Sequence, residues 1–581
     1  MSESTYAERS DSIEDKLAWL RAAYENGRHD LALSLADSIR QTLRCERQEA
    51  GPDDALLDGA EGLTAVADLP GAWRDWARGW RFCRGLRLSE EAGLARRGEP
   101  VEVGLALADG QADDPRREVR VARVEAGALR QVPSQVHGER RSGGRLHCRL
   151  VFPADVGVGT SQRYVVFFGN PWAERPQYVT DLRVQGEGYA LQVDNEHFRA
   201  CLSAQTGQLE RLVYRRAHGL ELFAGGEGHG EPPHIDWAHD YLAAGQFQKF
   251  RVTNWAQVPD WEVVRGPLMV EVRRWGFPHG PAHPLFTPSR LHIDVAYRFY
   301  AGLPVFFKRG RMEAVHDVEI DYLRDDEWVF SGYSFTHAVW MDRGGRLHEG
   351  PVAPGQANDL WGVGFYNDRS RDAFIVLWLE HGAEGFDGVV HCGAPQLDYQ
   401  GHGQLWSRWA AQGRPSFRAG AVLRQWNAYL TAPYEGPESV ERTRQQLLQP
   451  LRVAAEKAGA GAGLSAPGAL ARPGETEETA GPKANVWEAL RQVRDDMFYT
   501  ADANVVDMGY VYDVQARDGV VRVLMTMPHR GRPRHRYLGR PMRERLLGLP
   551  GVAEAVVDFT WEPPWSLARI TPAGRRAMGL G

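Results

Sequence analysis

A chain of 581 residues is long enough for several packed cores and too long for one small module. Apolar residues make up 43% and charged residues 25%, with 63 Gly and 34 Pro, a globular composition that excludes a collagen-like or low-complexity chain. Lys plus Arg number 69 against 76 Asp plus Glu, a net charge of -7 that is too mild to make the whole molecule a nucleic-acid or membrane binder.

From Asp11 to about Glu46, Ile13, Leu17, Leu20 and Ala23, then Leu31, Leu33, Leu35, Ile39 and Leu43 recur at helical spacing. Two helices are predicted, with Ser10 to Ser12 as N-cap candidates and Asn26-Gly27 as a left-handed stop between them. The hairpin (residues 1–50) resembles one helical repeat unit without a second copy. It cannot bury both faces alone, so it is expected to dock on the body of the protein, with a second subunit as the alternative.

Residues 70–180 change register. Val101, Val103, Leu105 and Leu107 alternate, and Arg149 to Phe152 and Tyr164 to Phe168 are short β-rich runs, which predicts a β-sandwich. Strand patterns continue through residues 181–450, among them Leu209 to Val213, Leu291 to Tyr300, Val305 to Arg311 and Ala421 to Tyr429, without long helical periods. A large antiparallel two-sheet body is expected there rather than a βαβ arrangement. The acidic group Asp317, Glu319, Asp321, Asp325, Asp326 and Glu327 reads as a strand edge with a solvated turn at Asp-Asp-Glu. Residues 451–484, Ala-, Gly-, Pro- and Glu-rich from 454, read as a flexible linker, and residues 485–581 as a separate small α+β domain. The fold class is therefore multi-domain and mainly β: helical hairpin, β-sandwich, large β body and C-terminal α+β unit.

Two resemblances sharpen this. The pieces Val132 to Val136 (VPSQV), Tyr164 to Val184 and Gly188 to Arg215 resemble exo-rhamnogalacturonan lyase-like proteins. Asn195-Glu196 before a strand, with Thr206-Gly207 in the following turn, resembles the opening of a galactose mutarotase-like supersandwich. Those likenesses imply a supersandwich at 181–450 and a carbohydrate- or glycoside-related, lyase-like role. Residues 485–581 resemble the iron-sulfur assembly (metal-sulfur cluster biosynthesis) domain family through Val486 to Asp496, Asn504 to Val514, Val520 to Thr526 and Leu549 to Gly579. Asn485 with Glu488 reads as a capping box opening a helix with the stripe Val486, Ala489, Leu490, Val493 and Met497. The family's reactive Cys falls on Arg532, and its Asp-Pro-Glu turn falls on Asp495, Asp496 and Met497. Iron-sulfur clusters are held by thiolates, and residues 485–581 contain no cysteine. No cluster is expected on this domain, and an interaction role is.

Candidate chemistry falls in three places. His234, Asp236, His239, Asp240 and Tyr241 could bind a divalent metal or supply acid-base groups to a sugar, with Trp237 as a stacking face, and His239 or Tyr241 as the acid-base residue. His391, Asp398, Tyr399, His402, Trp406 and Arg408, followed by Trp409, combine indoles with polar groups as pyranose recognition requires. The run HRGRPRHRYLGR from His529, with Arg530, Arg532, Arg534 and Arg536, reads as an anion or partner loop. Residues 485–581 hold 14 Arg against 11 Asp plus Glu, so the acidic remainder of the chain is itself a candidate target.

Cys45, Cys83, Cys148, Cys201 and Cys392 include no C-x-x-C pair, and MSESTYAERSDSIEDK has no signal-peptide pattern, so a reducing, cytoplasmic setting is expected. The expected partners are a saccharide or glycoside and a protein met by the C-terminal domain; a homo-oligomer is compatible, and neither nucleic acid nor a membrane is implied. The alternatives are a non-catalytic accessory subunit of a metalloenzyme complex and an iron-sulfur assembly or maturation factor.

Overall fold

The computed structural model describes residues 6–9, 13–48, 56–57, 62–215, 221–223, 235–237, 239–245, 249–255, 257–278, 289–330, 335–353, 356–385, 391–393, 404–412, 416–458, 481–494, 504–517, 519–526, 534–559 and 570–577. The protein is mainly β and carries several sheets. No described helix is long and apolar enough to cross a membrane.

Helices α1 (Ile13–Glu25) and α2 (His29–Gln48) form the expected hairpin. Gly27 takes φ +71°, and the N–H of Arg28 reaches back to the Ala23 carbonyl at 2.9 Å, the left-handed stop that Asn-Gly favours. The hairpin meets the body through polar groups. Buried Lys16 pairs with Asp260 and donates to Thr42 Oγ1 at 3.1 Å, the Trp275 indole donates to the same hydroxyl at 3.2 Å, and His316 Nε2 lies 2.7 Å from Asp37 Oδ2. Much of the predicted apolar stripe instead faces solvent, including Leu17, Leu31, Leu33 and Leu43, because the side of the body at Asp260 and Trp275 offers ionic and hydrogen-bonding partners.

In the sandwich, strands Arg96–Ala108, Arg145–Val156 and Gln135–Ser142 belong to one sheet, and Phe82–Ser89, Ser161–Phe168, Arg120–Glu125 and Ala128–Val132 to the other. Their alternate residues, including Val103, Leu105, Leu150, Phe152, Val166 and Phe168, form one buried cluster. Strand Arg452–Glu456 pairs antiparallel with Phe82–Ser89. The opening of the stretch read as a linker from 451 is therefore a sheet strand; residues 459–480 lie outside the described residues.

The large body has a ten-stranded sheet whose central strands are Met269–Gly276, Leu291–Tyr300, Val305–Ala314, Val422–Leu430 and Ala373–Glu384. Facing it is a sheet built on Val318–Phe330 and Gln404–Gln412. The Asp-Asp-Glu expected at a solvated turn lies inside Val318–Phe330 with all three side chains buried. Motif residues hold neighbouring elements together. Asn195 Oδ1 accepts the N–H groups of His197 and Phe198 at 2.9 and 3.0 Å while its Nδ2 donates to the Leu303 carbonyl at 2.8 Å; Arg274 donates to the Thr206 carbonyl at 3.0 Å. Gln135, in the Val132 to Val136 piece, crosses from the sandwich to the body. Its Oε1 accepts from Leu268 and Met269 N–H, each at 2.9 Å, and its Nε2 donates to the Met269 carbonyl at 2.9 Å.

The C-terminal unit carries helix Gly481–Arg491, antiparallel strands Val511–Arg517 and Val520–Met525, helix Arg534–Leu547, strand Glu554–Phe559 parallel to Val520–Met525, and helix Pro572–Ala577. Val486, Ala489, Leu490 and Val493 are buried as their spacing predicts, whereas Met497 lies outside the described residues. Asn485 falls inside the helix, which begins at Gly481, so the expected capping box does not open it. The Arg-rich run read as a loop is helical from Arg534 onward, because Leu538, Met542 and Leu546 share a buried face.

Candidate functional site

Between the two sheets of the body, two apolar clusters are separated by a belt of polar side chains. Along each strand the inward positions run apolar, polar, apolar. Lys308 lies between Phe306 and Met312, Gln425 and Asn427 between Leu423 and Tyr429, Asp325 and Asp326 between Leu323 and Trp328, and Arg408 between Trp406 and Ala410. The two-residue period of a strand puts Lys308 on the face of Phe306 and Met312, and Asn427 on that of Tyr429.

Lys308 is the centre. Its ammonium donates to both oxygens of Asp236 at 2.9 and 2.8 Å and to Asp326, and all three side chains are buried. Asp236 also accepts from the Tyr297 and Tyr429 hydroxyls. Arg408 forks onto Asp325, with Nη2 2.6 Å from Oδ2, and lies 4.9 Å over the Trp378 ring. Asn427 donates to Asp326 Oδ2 at 3.1 Å. Buried charges persist only when paired and hydrogen-bonded, and the belt meets that requirement.

Environment splits the carboxylates. Burial works against ionising Asp236, but the Lys308 charge prevails and holds it below its ordinary range. Burial likewise opposes Asp325, yet Arg408 and His381 hold it low. Asp326 is pushed up to about 6 by burial and by the neighbouring Asp325 and Asp236 charges, against the pull of Lys308 and Arg408. His239 is pushed down to about 3 by burial, then by Lys308 and Arg274. Its backbone has φ +65°, a region that L side chains rarely adopt. Its Nε2 lies 3.3 Å from Gln425 Nε2, and its buried Nδ1 meets no hydrogen-bond partner.

Acid stability follows from these groups. His239, together with His292, which burial pushes down to about 4, stays neutral in the fold but charges on unfolding below its ordinary 6.5, so both withdraw stability as pH falls from there toward their folded values. Asp326 acts oppositely, because the folded carboxyl keeps its proton up to about 6 against an ordinary 3.8; the stability it adds fades as pH rises through 6. At about pH 5 the unfolded chain binds roughly one more proton at these three groups, so acidification destabilises the fold, and the slope about doubles in Asp326→Asn, where the opposing carboxyl is gone. Urea unfolding between about pH 6 and pH 4.5 measures both slopes.

The belt gathers Asp236, His239 and Arg408 from the sequence-derived candidates. Asp240 is held instead by Arg324, at 2.8 and 2.7 Å, and so belongs to a neighbouring ion-pair group with Glu327. Tyr241 is packed on Phe250 with ring centroids 4.9 Å apart, its hydroxyl 2.8 Å from Ser289 Oγ, which leaves it no route to the belt. Trp406 is core: its indole donates to the Gly364 carbonyl at 3.0 Å and it is 2% exposed, so it offers no face to a sugar ring. Trp237 and His391 lie in strands and Arg534 and Arg536 in a helix, with nothing described of their side chains. His234, Asp398, Tyr399, His402, Arg530 and Arg532 lie outside the described residues. Among the described residues no group of three or more His, Cys, Asp and Glu could hold a metal ion; between Asp236 and Asp326 the cation is the Lys308 ammonium. Lys308, Gln425 and Asn427 are the belt residues that sequence reading misses, and polar residues at the inward parity of Phe306 and Tyr429 are the signal that could have found them.

In the C-terminal unit, Asn504 and Thr571 close on Asp507: Asn504 Nδ2 donates at 2.6 Å and Thr571 Oγ1 at 2.9 Å, fastening the last helix to the turn before Val511–Arg517. Elsewhere the thiols of Cys83 and Cys148 are pushed up to about 12 by burial, unlike the thiolates that bind metal.

Residues 483–557 match the family described as iron-sulfur cluster assembly protein. Over 99 residues, 17% of this chain and 94% of the relative, the chain is 30% identical to the Fe-S protein maturation auxiliary factor YitW of Bacillus subtilis (strain 168). Through this C-terminal segment the chain belongs to the iron-sulfur cluster assembly protein family. The remainder is similar to an alpha-mannosidase from Enterococcus faecalis V583, 10% identical over 75% of this chain and 50% of that one, with a TM-score of 0.38. It is also similar to the galactose mutarotase related enzyme from Lactobacillus acidophilus, 8% identical over 42% of this chain and 98% of that one, with a TM-score of 0.27.

Proposed function

We propose that this chain is an accessory protein of iron-sulfur protein maturation that works by docking rather than by carrying a cluster. The observation that carries the reading is that the C-terminal segment keeps the apolar core of the unit, from Val486 and Leu490 to Val523 and Leu546, while residues 485–581 supply no cysteine. Cluster ligation needs deprotonated sulfur, and buried Cys83 and Cys148 are poor sources of it. What the segment offers in place of a thiol is guanidinium, which pairs with carboxylates on a partner surface. The relative's name describes an auxiliary factor of maturation, and docking is the part of that work this chain's residues can perform. Deleting the gene is expected to lower the activity of iron-sulfur enzymes in the cell, while the anaerobically purified full chain holds far less than one iron per molecule. Unchanged enzyme activity would remove the maturation role, and stoichiometric iron with sulfide would replace docking by carriage.

A second reading, a carbohydrate- or glycoside-related β body, is favoured by one observation: strained, buried His239 with an unpartnered nitrogen beside carboxylates pushed in opposite directions. His239→Asn keeps a residue that tolerates the left-handed backbone, so it should still fold, at a melting temperature lowered by the volume lost from a buried site, and should abolish saccharide binding. A variant that binds every tested saccharide as the parent does would end this reading.

A further inference from the structure

The helical hairpin leaves much apolar surface exposed. Among the described residues eleven large hydrophobic side chains are exposed, and six belong to the hairpin: Leu17, Trp19, Tyr24, Leu31, Leu33 and Leu43. Within α1, Ile13, Leu17, Leu20 and Tyr24 follow one another at intervals of four, three and four residues, the seam of a coiled coil. The adjacent Lys16 and Ala23 are buried while the seam is left open: Leu17 is 50% and Tyr24 64% exposed, and Ile13 and Leu20 are half-buried.

We propose that this seam packs against α1 of a second copy of the chain, antiparallel about a two-fold axis. The flanking charges select that occupant. Glu14 and Arg21 sit at equivalent positions beside the seam, one heptad apart, on the side away from Lys16 and Ala23. Antiparallel pairing of two identical helices brings such positions together, so Glu14 of each copy approaches Arg21 of the other and the contact is made twice. Arg21 already pairs with Glu25 at 2.8 Å, but both are largely exposed, and such a pair is readily shared.

Light scattering on the full chain is expected to give twice the 65.0 kDa of one copy, and Leu17→Glu with Tyr24→Glu to give a folded monomer with the parent's circular dichroism, since both side chains are exposed. Glu14→Arg alone should weaken association about tenfold at low salt, and adding Arg21→Glu should restore it, because both copies then carry the reversed pair. A parent that is monomeric at every concentration, a dimer that survives Leu17→Glu with Tyr24→Glu, or a double charge reversal that fails to restore association would each overturn the proposal.

Discussion

Lys308→Met is expected to destabilise the folded chain by about 3–5 kcal/mol, because it strands two carboxylates in the interior. Asp236 and Asp326 both face the Lys308 ammonium, and none of the three reaches solvent. Methionine fills similar volume, so the loss reports the charge rather than a cavity. Urea unfolding at about pH 7.5 measures it. Asp326→Asn provides the contrast: Lys308 keeps Asp236, and the amide remains able to hydrogen-bond, so its cost should be much smaller. Equal losses in the two variants would show that Lys308 is not the ion on which the belt depends.

Gln135→Ala is expected to remove about 3 kcal/mol, because two N–H groups and one carbonyl are left buried without partners. The three bonds from Gln135 to Leu268 and Met269 are the side-chain counterpart of a strand pairing between sandwich and body. Gly266 keeps the space clear, since a Cβ there would lie 2.3 Å from Gln135 Cδ. Gly266→Ala should therefore be tolerated better in a Gln135→Ala background than alone, a coupling that a double-mutant cycle on melting temperature detects. Strict additivity would count against it.

The sequence reading succeeds where structure is local. Alternation at Val101, Val103, Leu105 and Leu107 announces an inward strand face, Asn26-Gly27 announces the end of α1, and the helix stripe at Val486, Ala489, Leu490 and Val493 is buried as spaced. It fails where a residue's environment comes from far along the chain. Asp-Asp-Glu has the composition of a turn, yet Asp326 is neutralised by Lys308 from 18 positions away and Asp325 by Arg408 from 83. Conversely Trp406 carries the signature of sugar stacking, but an indole whose N–H meets the Gly364 carbonyl is spent on the core. The docking face of the hairpin inverts for the same reason: Asp260 and Trp275 lie more than 200 positions beyond Lys16 and Thr42.

Strand Arg452–Glu456 fixes an order of events in synthesis. It closes the edge of Phe82–Ser89 from Gly85 to Ser89, beyond the stretch that Leu63–Ala65 pairs, and Arg87 and Glu456, which pair there, are 369 positions apart. At about 5–20 residues per second the ribosome needs roughly 20–75 s to deliver the later strand after the earlier one. Throughout that interval the nascent sandwich presents an open hydrogen-bonding edge, the kind that invites pairing with another chain. Handling of the nascent chain during that minute, more than the equilibrium strength of the finished sandwich, should govern how much native protein a cell obtains.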